Sequence, residues 1–277
     1  MAKNEKRPLI KQPELHLIPV GLGNAPMSLW LPKQVRHIAQ QLPIYIAENA
    51  KTARAFLGEV NTTRPIQDII IYNLDKRGNS EAEITQWLTD PAAKNGIGLV
   101  SEAGCPAIAD PGAQVVAIAH KLNIPVIPHV GPSSLLLGLM ASGLNGQHFT
   151  FHGYLPIEAN QRRQALRWLE QESAKKHSTQ LFIETPYRNQ NLFETLCRTL
   201  KNDTQLCIAC NLTTDNQWVK TKTIAQWQET ALPNIERRPT LFLMLAQPKR
   251  THANRSRKTA PSAFKKNVRH TGRRRRQ

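Results

Sequence analysis

Four short loops rich in glycine, proline and small polar residues follow predicted strands and could do chemistry together. They read Val20-Gly-Leu-Gly-Asn24, Ala47-Glu-Asn49, Ser101-Glu-Ala-Gly-Cys-Pro106 and Val130-Gly-Pro-Ser-Ser134. Ligands of open α/β sheets bind at the carboxyl ends of the strands, where such loops meet. Because glycine and proline hold main-chain groups accessible in fixed conformations, the loops predict a ligand that lies against backbone. Each loop alone is equally consistent with an ordinary turn.

Several familiar site patterns are absent from the sequence. Gly21 and Gly23 follow a strand, but the third glycine of a dinucleotide fingerprint is missing, and Pro26 stands where its helix should begin. Neither a GxxxxGK[ST] phosphate loop nor a GxSxG nucleophile motif occurs. Cys207 and Cys210 have the spacing of a metal pair but no second pair, and on a strand their thiols would face opposite sides. Buried core cysteines are therefore favoured, and no metal is expected.

The elements that must position the loops alternate between strand and helix over the first half of the chain. We predict strands over 15–20, 44–49, 68–74, 97–104 and 124–132, with helices between them and a strongly apolar helix over 133–144. The continuous apolar run of 68–74 is typical of a strand covered on both faces. The pattern predicts a mainly parallel sheet with helices on both sides, and either Ser133 or Ser134 is expected to cap the last helix.

The sequence pattern changes near residue 148, and the further strand-like runs and helices that follow indicate a second α/β unit. We expect a flexible N-terminus over 1–13, an N-terminal α/β domain over 14–148 and a C-terminal α/β domain over 149–248. The remaining segment, the basic tail (residues 249–277), contains few core-forming residues and is expected to be disordered in isolation.

The charge of the chain is concentrated in that tail. The 277 residues carry a net charge of +17, of which the twelve Lys and Arg residues of 249–277 supply +12 without any acidic residue. Such a segment suits a phosphate backbone. No apolar run reaches the roughly 18 residues needed to span a bilayer, no secretory signal is evident, and the four cysteines are scattered. We therefore expect a cytoplasmic protein without a membrane partner.

Together with the stretches FHGYLP (151–156) and LFIETPYR (181–188), the four loops resemble the tetrapyrrole-methylase superfamily of methyltransferases that depend on S-adenosylmethionine (SAM). Within it, the chain is most similar to the ribosomal RNA small-subunit methyltransferase I family, over about residues 15–248. The resemblance implies two α/β domains with SAM in the cleft between them, and methylation of a cytidine ribose 2′-hydroxyl in 16S rRNA. It also implies small-subunit rRNA or a ribosomal particle as partner, and we expect a homodimer. The residues that the resemblance predicts to bind the cofactor are Gly21, Gly23, Ser101, Ala103, Gly104, Pro106, Ser133, Ser134 and, from the second domain, Tyr187. Glu184, Pro186 and Arg188 belong to the same motif as Tyr187.

Three stretches depart from the usual family pattern. Ala47-Glu-Asn-Ala-Lys51 replaces Ala-Glu-Asp-Thr-Arg, Tyr72-Asn-Leu-Asp75 replaces a stretch with His-Asn-Glu, and Cys210-Asn-Leu-Thr-Thr214 replaces Arg-Glu-Leu-Thr-Lys. Because SAM binding in this family rests on backbone, we expect it to survive these changes. The changes concern substrate identity and catalysis.

Methyl transfer to a ribose hydroxyl needs an oriented nucleophile and a proton acceptor. Glu48, at the end of the second strand, is the candidate base or substrate-orienting group, and Glu102 is a weaker second candidate. Lys51 could hold a phosphate. Glu48 is equally consistent with a carboxylate that caps the following helix.

Three functions are therefore open from the sequence. An RNA ribose methyltransferase is favoured by the resemblance and by the basic tail. A methylase of a tetrapyrrole or another small molecule would share the fold, but does not explain the tail. A non-catalytic, ribosome-associated RNA-binding protein with the SAM fold is allowed by the changed motif residues.

Overall fold

A computed structural model describes residues 13–75 and 77–248 of the chain. The predicted flexible segment 1–13, apart from Pro13, and the basic tail lie outside the described residues. The first half contains β1 (Leu15–Leu17), α1 (Lys33–Gln41), β2 (Ile44–Ala47), α2 (Ala50–Val60), β3 (Ile70–Asn73), α3 (Glu81–Leu88), β4 (Ile97–Val100), α4 (Gly112–Lys121), β5 (Val126–Pro128) and α5 (Ser134–Ser142). The second half contains β6 (Phe149–Tyr154), α6 (Ala159–Lys176), β7 (Thr179–Ile183), α7 (Asn189–Thr199), β8 (Gln205–Cys210), β9 (Trp218–Thr223), α8 (Ile224–Gln228) and β10 (Thr240–Leu245).

The first sheet is parallel throughout, with the strand order β3-β2-β4-β1-β5. Successive side chains of β2 point to opposite faces, so Tyr45 packs with α1 and α2 while Ile44 and Ile46 pack with α3 and α4. The predicted parallel sheet with helices on both faces is therefore confirmed. The strands are shorter than predicted because the chain leaves the sheet early, at Leu17, Ala47 and Val100, to form the loops.

Strand β3 differs from its prediction. Its apolar run suggested a strand covered on both faces, but it lies at the edge of the sheet, where Ile70 is 38 % exposed. The side chains of Ile71 and Tyr72 pack partly against the two cores. A run of isoleucines cannot distinguish an edge strand from a central strand when one face of the edge is still covered.

The second sheet is mixed, with the order β6-β7-β10-β8-β9. Only β6 and β7 are parallel, and the other neighbours are antiparallel. One face packs against α6, α7 and α8 around the stacked rings of Phe182 and Phe242. Cys210 lies in this core and Cys207 lies in the core on the opposite face, which confirms that both are buried cysteines facing opposite sides of β8.

Helix α5 covers the other face of the second sheet although it follows the last strand of the first. Leu139 is buried against Leu181, Leu241 and Leu243 of the second sheet. Gly138 comes so close to β10 that an added Cβ would lie 2.5 Å from Leu241 Cδ2. The helix thus joins the two sheets, while the predicted domain limits of 14–148 and 149–248 stay predictions. Within the described part of the chain, no helix is both long and apolar enough to cross a membrane.

Candidate active site

A cleft lies between the carboxyl ends of the first sheet and the α5-covered face of the second. Across the described residues it comprises three adjoining cavities of about 240, 310 and 400 Å³, here called the first, second and third cavity. Leu22, Glu102 and Ala103 line all three. Glu48, Ser133 and Ser134 line the first, so the structure brings the four predicted loops together at one place.

The backbone after β4 forms the floor of the cleft. Gly104 and Val20 exchange two main-chain hydrogen bonds, of 3.0 and 3.2 Å, which tie the loop after β4 to the loop after β1. Ser101 Oγ donates to the carbonyls of Ala103 and Gly104. Gly104 has a φ of +75°, which favours glycine, and an added Cβ would also press on Leu22. The result is a rigid stretch of main chain beside the first and second cavities.

The next turn is held by a half-buried carboxylate. Asp110 Oδ1 accepts hydrogen bonds from the N–H groups of Ala107, at 3.0 Å, and Gly112, at 2.7 Å. Ala107 and Ala109 adopt left-handed backbone, with φ of 66° and 63°, a strained conformation for a residue with a side chain. Asp110 lines the first cavity, and burial raises the pKa of its carboxyl above the ordinary value. Its second oxygen, Oδ2, is buried without a hydrogen-bond partner among the described residues.

Glu48 stands directly beyond β2 and points into the first cavity. Its Oε1 accepts from the main-chain N–H of Glu102 at 3.4 Å, and Asn49 Nδ2 donates to Glu102 Oε1 at the same distance. The main-chain N–H of Glu102 and the side chain of Asn49 therefore connect the loop after β2 with the loop after β4. The N-cap of α2 is Asn49, which accepts from the N–H of Lys51, so the reading of Glu48 as the helix cap is wrong. The side chain of Lys51 is exposed and is not part of the cavity walls.

The amino end of α5 closes the first cavity. Ser133 occupies the N-cap position, but its side chain accepts no capping hydrogen bond within the described structure. Ser133 is therefore the N-cap that was expected, and its carbonyl accepts from the Leu137 N–H at 3.0 Å, but the capping hydrogen bond to its side chain is missing. Because Ser133 and Ser134 line the first cavity at the amino end of the helix, this end favours an anionic or polar ligand group.

The second sheet supplies the opposite wall, with Ile183, Glu184 and Pro186 at the end of β7. The Glu184 side chain is fully buried, and its Oε1 accepts from Arg188 Nε at 3.0 Å and pairs with Arg188 Nη2 at 2.9 Å. This pair fixes the turn that carries Tyr187. Tyr187 itself is 67 % exposed beneath the Arg188 guanidinium and lies outside the walls of the three cavities.

The predicted cofactor residues fall into three groups. Ser101, Ala103, Gly104, Ser133 and Ser134 line the first cavity, Gly21 and Gly23 line the second, and Pro106 and Tyr187 line none of the three.

The glycines of the first loop also have packing reasons. An added Cβ at Gly21 would lie 3.3 Å from the Trp30 ring, and one at Gly23 would lie 2.7 Å from Thr214 Cγ2. Gly23 therefore allows the two halves of the chain to touch.

Sequence reasoning did not select Asp110, Tyr154, Phe151 or Ile108, although all four line the first cavity. Ile108 and Asp110 directly follow the predicted loop Ser101–Pro106, and the available signal was an acidic residue followed by Pro111 and Gly112. Phe151 and Tyr154 belong to the FHGYLP stretch that carries the resemblance, but neither was assigned to the site, because the shift in sheet register that brings both to the cleft cannot be read from the sequence.

Known proteins support one family. The chain is 30 % identical over 199 residues to "Ribosomal RNA small subunit methyltransferase I" of a Synechocystis species, covering 72 % of this chain and 67 % of that protein. The protein of the same name from Xylella fastidiosa is 29 % identical over 233 residues, covering 84 % and 81 %. The chain belongs to the ribosomal RNA small subunit methyltransferase I family. No family model matches the sequence.

The enzyme is accordingly a methyltransferase that uses SAM. The crystal structure of the methyltransferase CobJ has the same fold, with a TM-score of 0.56 at 13 % sequence identity, covering 84 % of this chain and 94 % of CobJ. The predicted fold class, α/β with two units of the tetrapyrrole-methylase type, is confirmed.

Proposed function

We propose that the enzyme transfers the methyl group of SAM to a ribose 2′-hydroxyl of small-subunit rRNA. The names of its relatives support rRNA as the substrate. The observation that carries the chemistry is the placement of Glu48: its carboxylate lines the first cavity and is hydrogen-bonded to the loop that forms the cavity floor.

The residues of the cleft fit the cofactor. Main-chain groups around Gly104 are accessible, and the amino end of α5 offers unused N–H groups and two serine hydroxyls. The third cavity, with Leu22, Leu212 and Leu241 in its walls, suits a purine ring. When bound, SAM supplies a methyl group on a positively charged sulfur.

The protein's own task is to orient the acceptor oxygen and to take its proton. We assign the proton to the carboxylate of Glu48, so that the O–H bond breaks as the oxygen gains its methyl group. Glu102, whose backbone holds Glu48 and whose side chain lines all three cavities, is the second group able to orient the ribose. Lys51, exposed on the first turn of α2, would hold a phosphate of the same RNA outside the cavities.

The partners follow from the substrate and the surface. The basic tail (residues 249–277) would bind the rRNA backbone because of its +12 charge. The compartment would be the cytoplasm, where ribosomal subunits are made. For the expected homodimer, the exposed apolar side chains of α5 are the supporting feature, with Leu136 56 % and Met140 79 % exposed.

Methyl transfer from labelled SAM to RNA and small ribosomal subunits, both prepared from a strain that lacks this gene, tests the proposal. Wild-type enzyme should label small-subunit rRNA. Glu48→Gln should lower the rate by about 10²–10⁴, the usual effect of losing a positioned base, while SAM affinity measured by calorimetry stays within about threefold. Glu81→Gln, which alters a surface ion pair with Lys121, is the control.

The outcomes separate the alternatives. Equal losses of SAM affinity and rate in Glu48→Gln would make Glu48 a structural residue, and a larger loss in Glu102→Gln would move the proton to Glu102. SAM binding without labelling of any RNA would refute the substrate, and labelling of a tetrapyrrole instead would identify a small-molecule methylase.

A further inference from the structure

Strand β6 contains an irregularity that faces the cleft. Phe151 pairs with Leu181 of β7 and Tyr154 pairs with Ile183, so three steps along β6 match two steps along β7. The extra residue is accommodated at Gly153, whose φ of +63° favours glycine. In a regular strand, residues three apart point to opposite faces, but here Phe151 and Tyr154 both line the first cavity. The bulge therefore directs the Tyr154 ring into the cleft.

Tyr154 presents an unusually accessible ring for a cleft residue. It is 57 % exposed and lines both the first and the third cavity. None of the aromatic pairs within residues 13–75 and 77–248 includes it. Because more than half of the residue is exposed, Tyr154 is accessible to a molecule that arrives from solvent.

Two arginines lie in the loop that contacts one wall of the third cavity. Pro186 and Pro239 line the third cavity, and the main-chain N–H of Arg237 donates to the Pro186 carbonyl at 3.0 Å. The Arg237 side chain is exposed, and Arg238 is half-buried beside it. An exposed aromatic ring in the cleft and arginines in the loop beside Pro186 match the two parts of a nucleotide, since bases stack on aromatic rings and phosphates bind arginine.

We propose that Tyr154, directed by the Gly153 bulge, is the stacking platform for the nucleobase of the acceptor nucleotide. This inference rests on the proposed RNA substrate and names the part of the site that receives it. The platform positions the ribose of the same nucleotide over the first cavity, where Glu48 lies.

The experiment compares four variants for binding of a fluorescently labelled RNA oligonucleotide without SAM, for SAM affinity by calorimetry, and for the KM of RNA in methyl transfer. Tyr154→Leu removes the ring but keeps an apolar side chain, and Tyr154→Phe retains the ring. Gly153→Ala keeps Tyr154 but strains the bulge that aims it. Gly143→Ala is the matched control, because Gly143 at the far end of α5 has a similar φ of +68° and equally open space around an added Cβ.

We expect Tyr154→Leu and Gly153→Ala to weaken RNA binding and raise the KM about 10- to 100-fold, the range measured for loss of one stacked base. SAM affinity should change by less than about twofold, and Tyr154→Phe should recover most of the RNA affinity. Gly143→Ala should lower only thermal stability, which separates backbone strain from loss of the platform.

Two results would overturn the inference. If SAM affinity falls in Tyr154→Leu while RNA binding is unchanged, the ring contacts the cofactor; if neither changes, the ring is no platform at all. Failure of the wild-type enzyme to bind or methylate any RNA is a different result, which refutes the proposed function and the inference together.

Discussion

Asp110 is the residue whose removal tests most directly whether the rigid loop after β4 makes the site. Asp110→Ala deletes the oxygen that accepts from both Ala107 and Gly112. The N–H of Gly112, a buried residue, then loses its partner, whereas water can reach the half-buried Ala107. We expect the turn to loosen and the floor of the first cavity to move.

The size of the effect follows from two opposing contributions. Leaving a buried N–H unpaired costs about 1–3 kcal/mol, and the second, more accessible bond adds about 1 kcal/mol. A released loop also relaxes part of the left-handed strain at Ala107 and Ala109, which recovers about 1 kcal/mol. The free energy of unfolding should therefore fall by about 1–3 kcal/mol in Asp110→Ala. In an Ala107→Gly background the backbone strain is already partly absent. Asp110→Ala should therefore lower the free energy of unfolding by a larger amount in that background.

Asp110→Asn distinguishes the hydrogen bonds from the charge. The amide oxygen can still accept both N–H groups, so stability at pH 7 should stay within about 1 kcal/mol of wild type. Burial raises the pKa of Asp110, which means that the folded state holds the proton more tightly than the unfolded state. Wild type therefore loses stability relative to Asp110→Asn as the pH rises from about 4 toward neutrality, and the two converge at lower pH.

Urea unfolding between pH 4 and pH 7 measures these differences, and calorimetry at pH 7 measures SAM affinity. Loss of SAM affinity in Asp110→Ala but not in Asp110→Asn would show that the hydrogen-bonded turn, not the charge, shapes the cavity. An unchanged unfolding midpoint in Asp110→Ala would refute the role of Asp110 in holding the turn. If Asp110→Asn lowers the free energy of unfolding as much as Asp110→Ala does, the stabilisation comes from the negative charge instead.

Three further predictions concern the tail, the α5 surface and the joint between the sheets. Deletion of residues 249–277 should flatten the salt dependence of RNA binding: each neutralised phosphate of single-stranded RNA contributes about −0.7 to the slope of log K against log salt, so half of the tail charges give about −4. An unchanged slope would exclude the tail from RNA binding. Met140→Asp should convert the expected dimer to a monomer in analytical ultracentrifugation. Leu232→Asp, which changes an exposed leucine outside α5, should leave the dimer intact. A dimer in both variants would place the interface elsewhere. Alanine in place of glycine inside a helix usually gains about 0.5–1 kcal/mol. Gly138→Ala should nevertheless lower the melting temperature and SAM affinity, because the new Cβ would clash with Leu241, which lines the third cavity. A rise in melting temperature would contradict that close contact.

The parts of the fold that depend on local pattern were predictable from the sequence. Alternating strands and helices gave the parallel first sheet, and the glycine and proline of the loop after β4 indicated a rigid floor for a ligand. The edge position of β3 was not predictable, because strand order depends on which helices cover which face. Gly153 could have indicated a bulge, since a glycine inside a strand often marks one, but it does not show to which face of the sheet the next residues turn.

The site itself was predictable only where backbone provides it. The loop after β4 and the start of α5 were singled out from small residue types at strand ends, and of their predicted cofactor residues all but Pro106 line the first cavity. Tyr187 was selected from a motif, and the structure places it on an exposed turn outside the cavities. Tyr154 lies in the FHGYLP stretch that carries the resemblance, but it reaches the cleft through a local irregularity of the sheet, which the residue types alone do not show.

The joint between the two halves explains one of the sequence departures. The stretch Cys210–Thr214 lacks the Arg and Glu usual in the family, yet its Thr214 methyl group lies against Gly23, and Leu212 is buried beside α5 and lines the third cavity. Thr214 Oγ1 donates to the Asn211 carbonyl at 2.8 Å, which closes the turn on itself. In this chain the stretch therefore acts as packing between the loop after β1 and the second sheet. Glu48, which the chain retains from the family pattern, lines the first cavity together with Glu102 and Asp110, so the proposed proton acceptor does not depend on the missing residues.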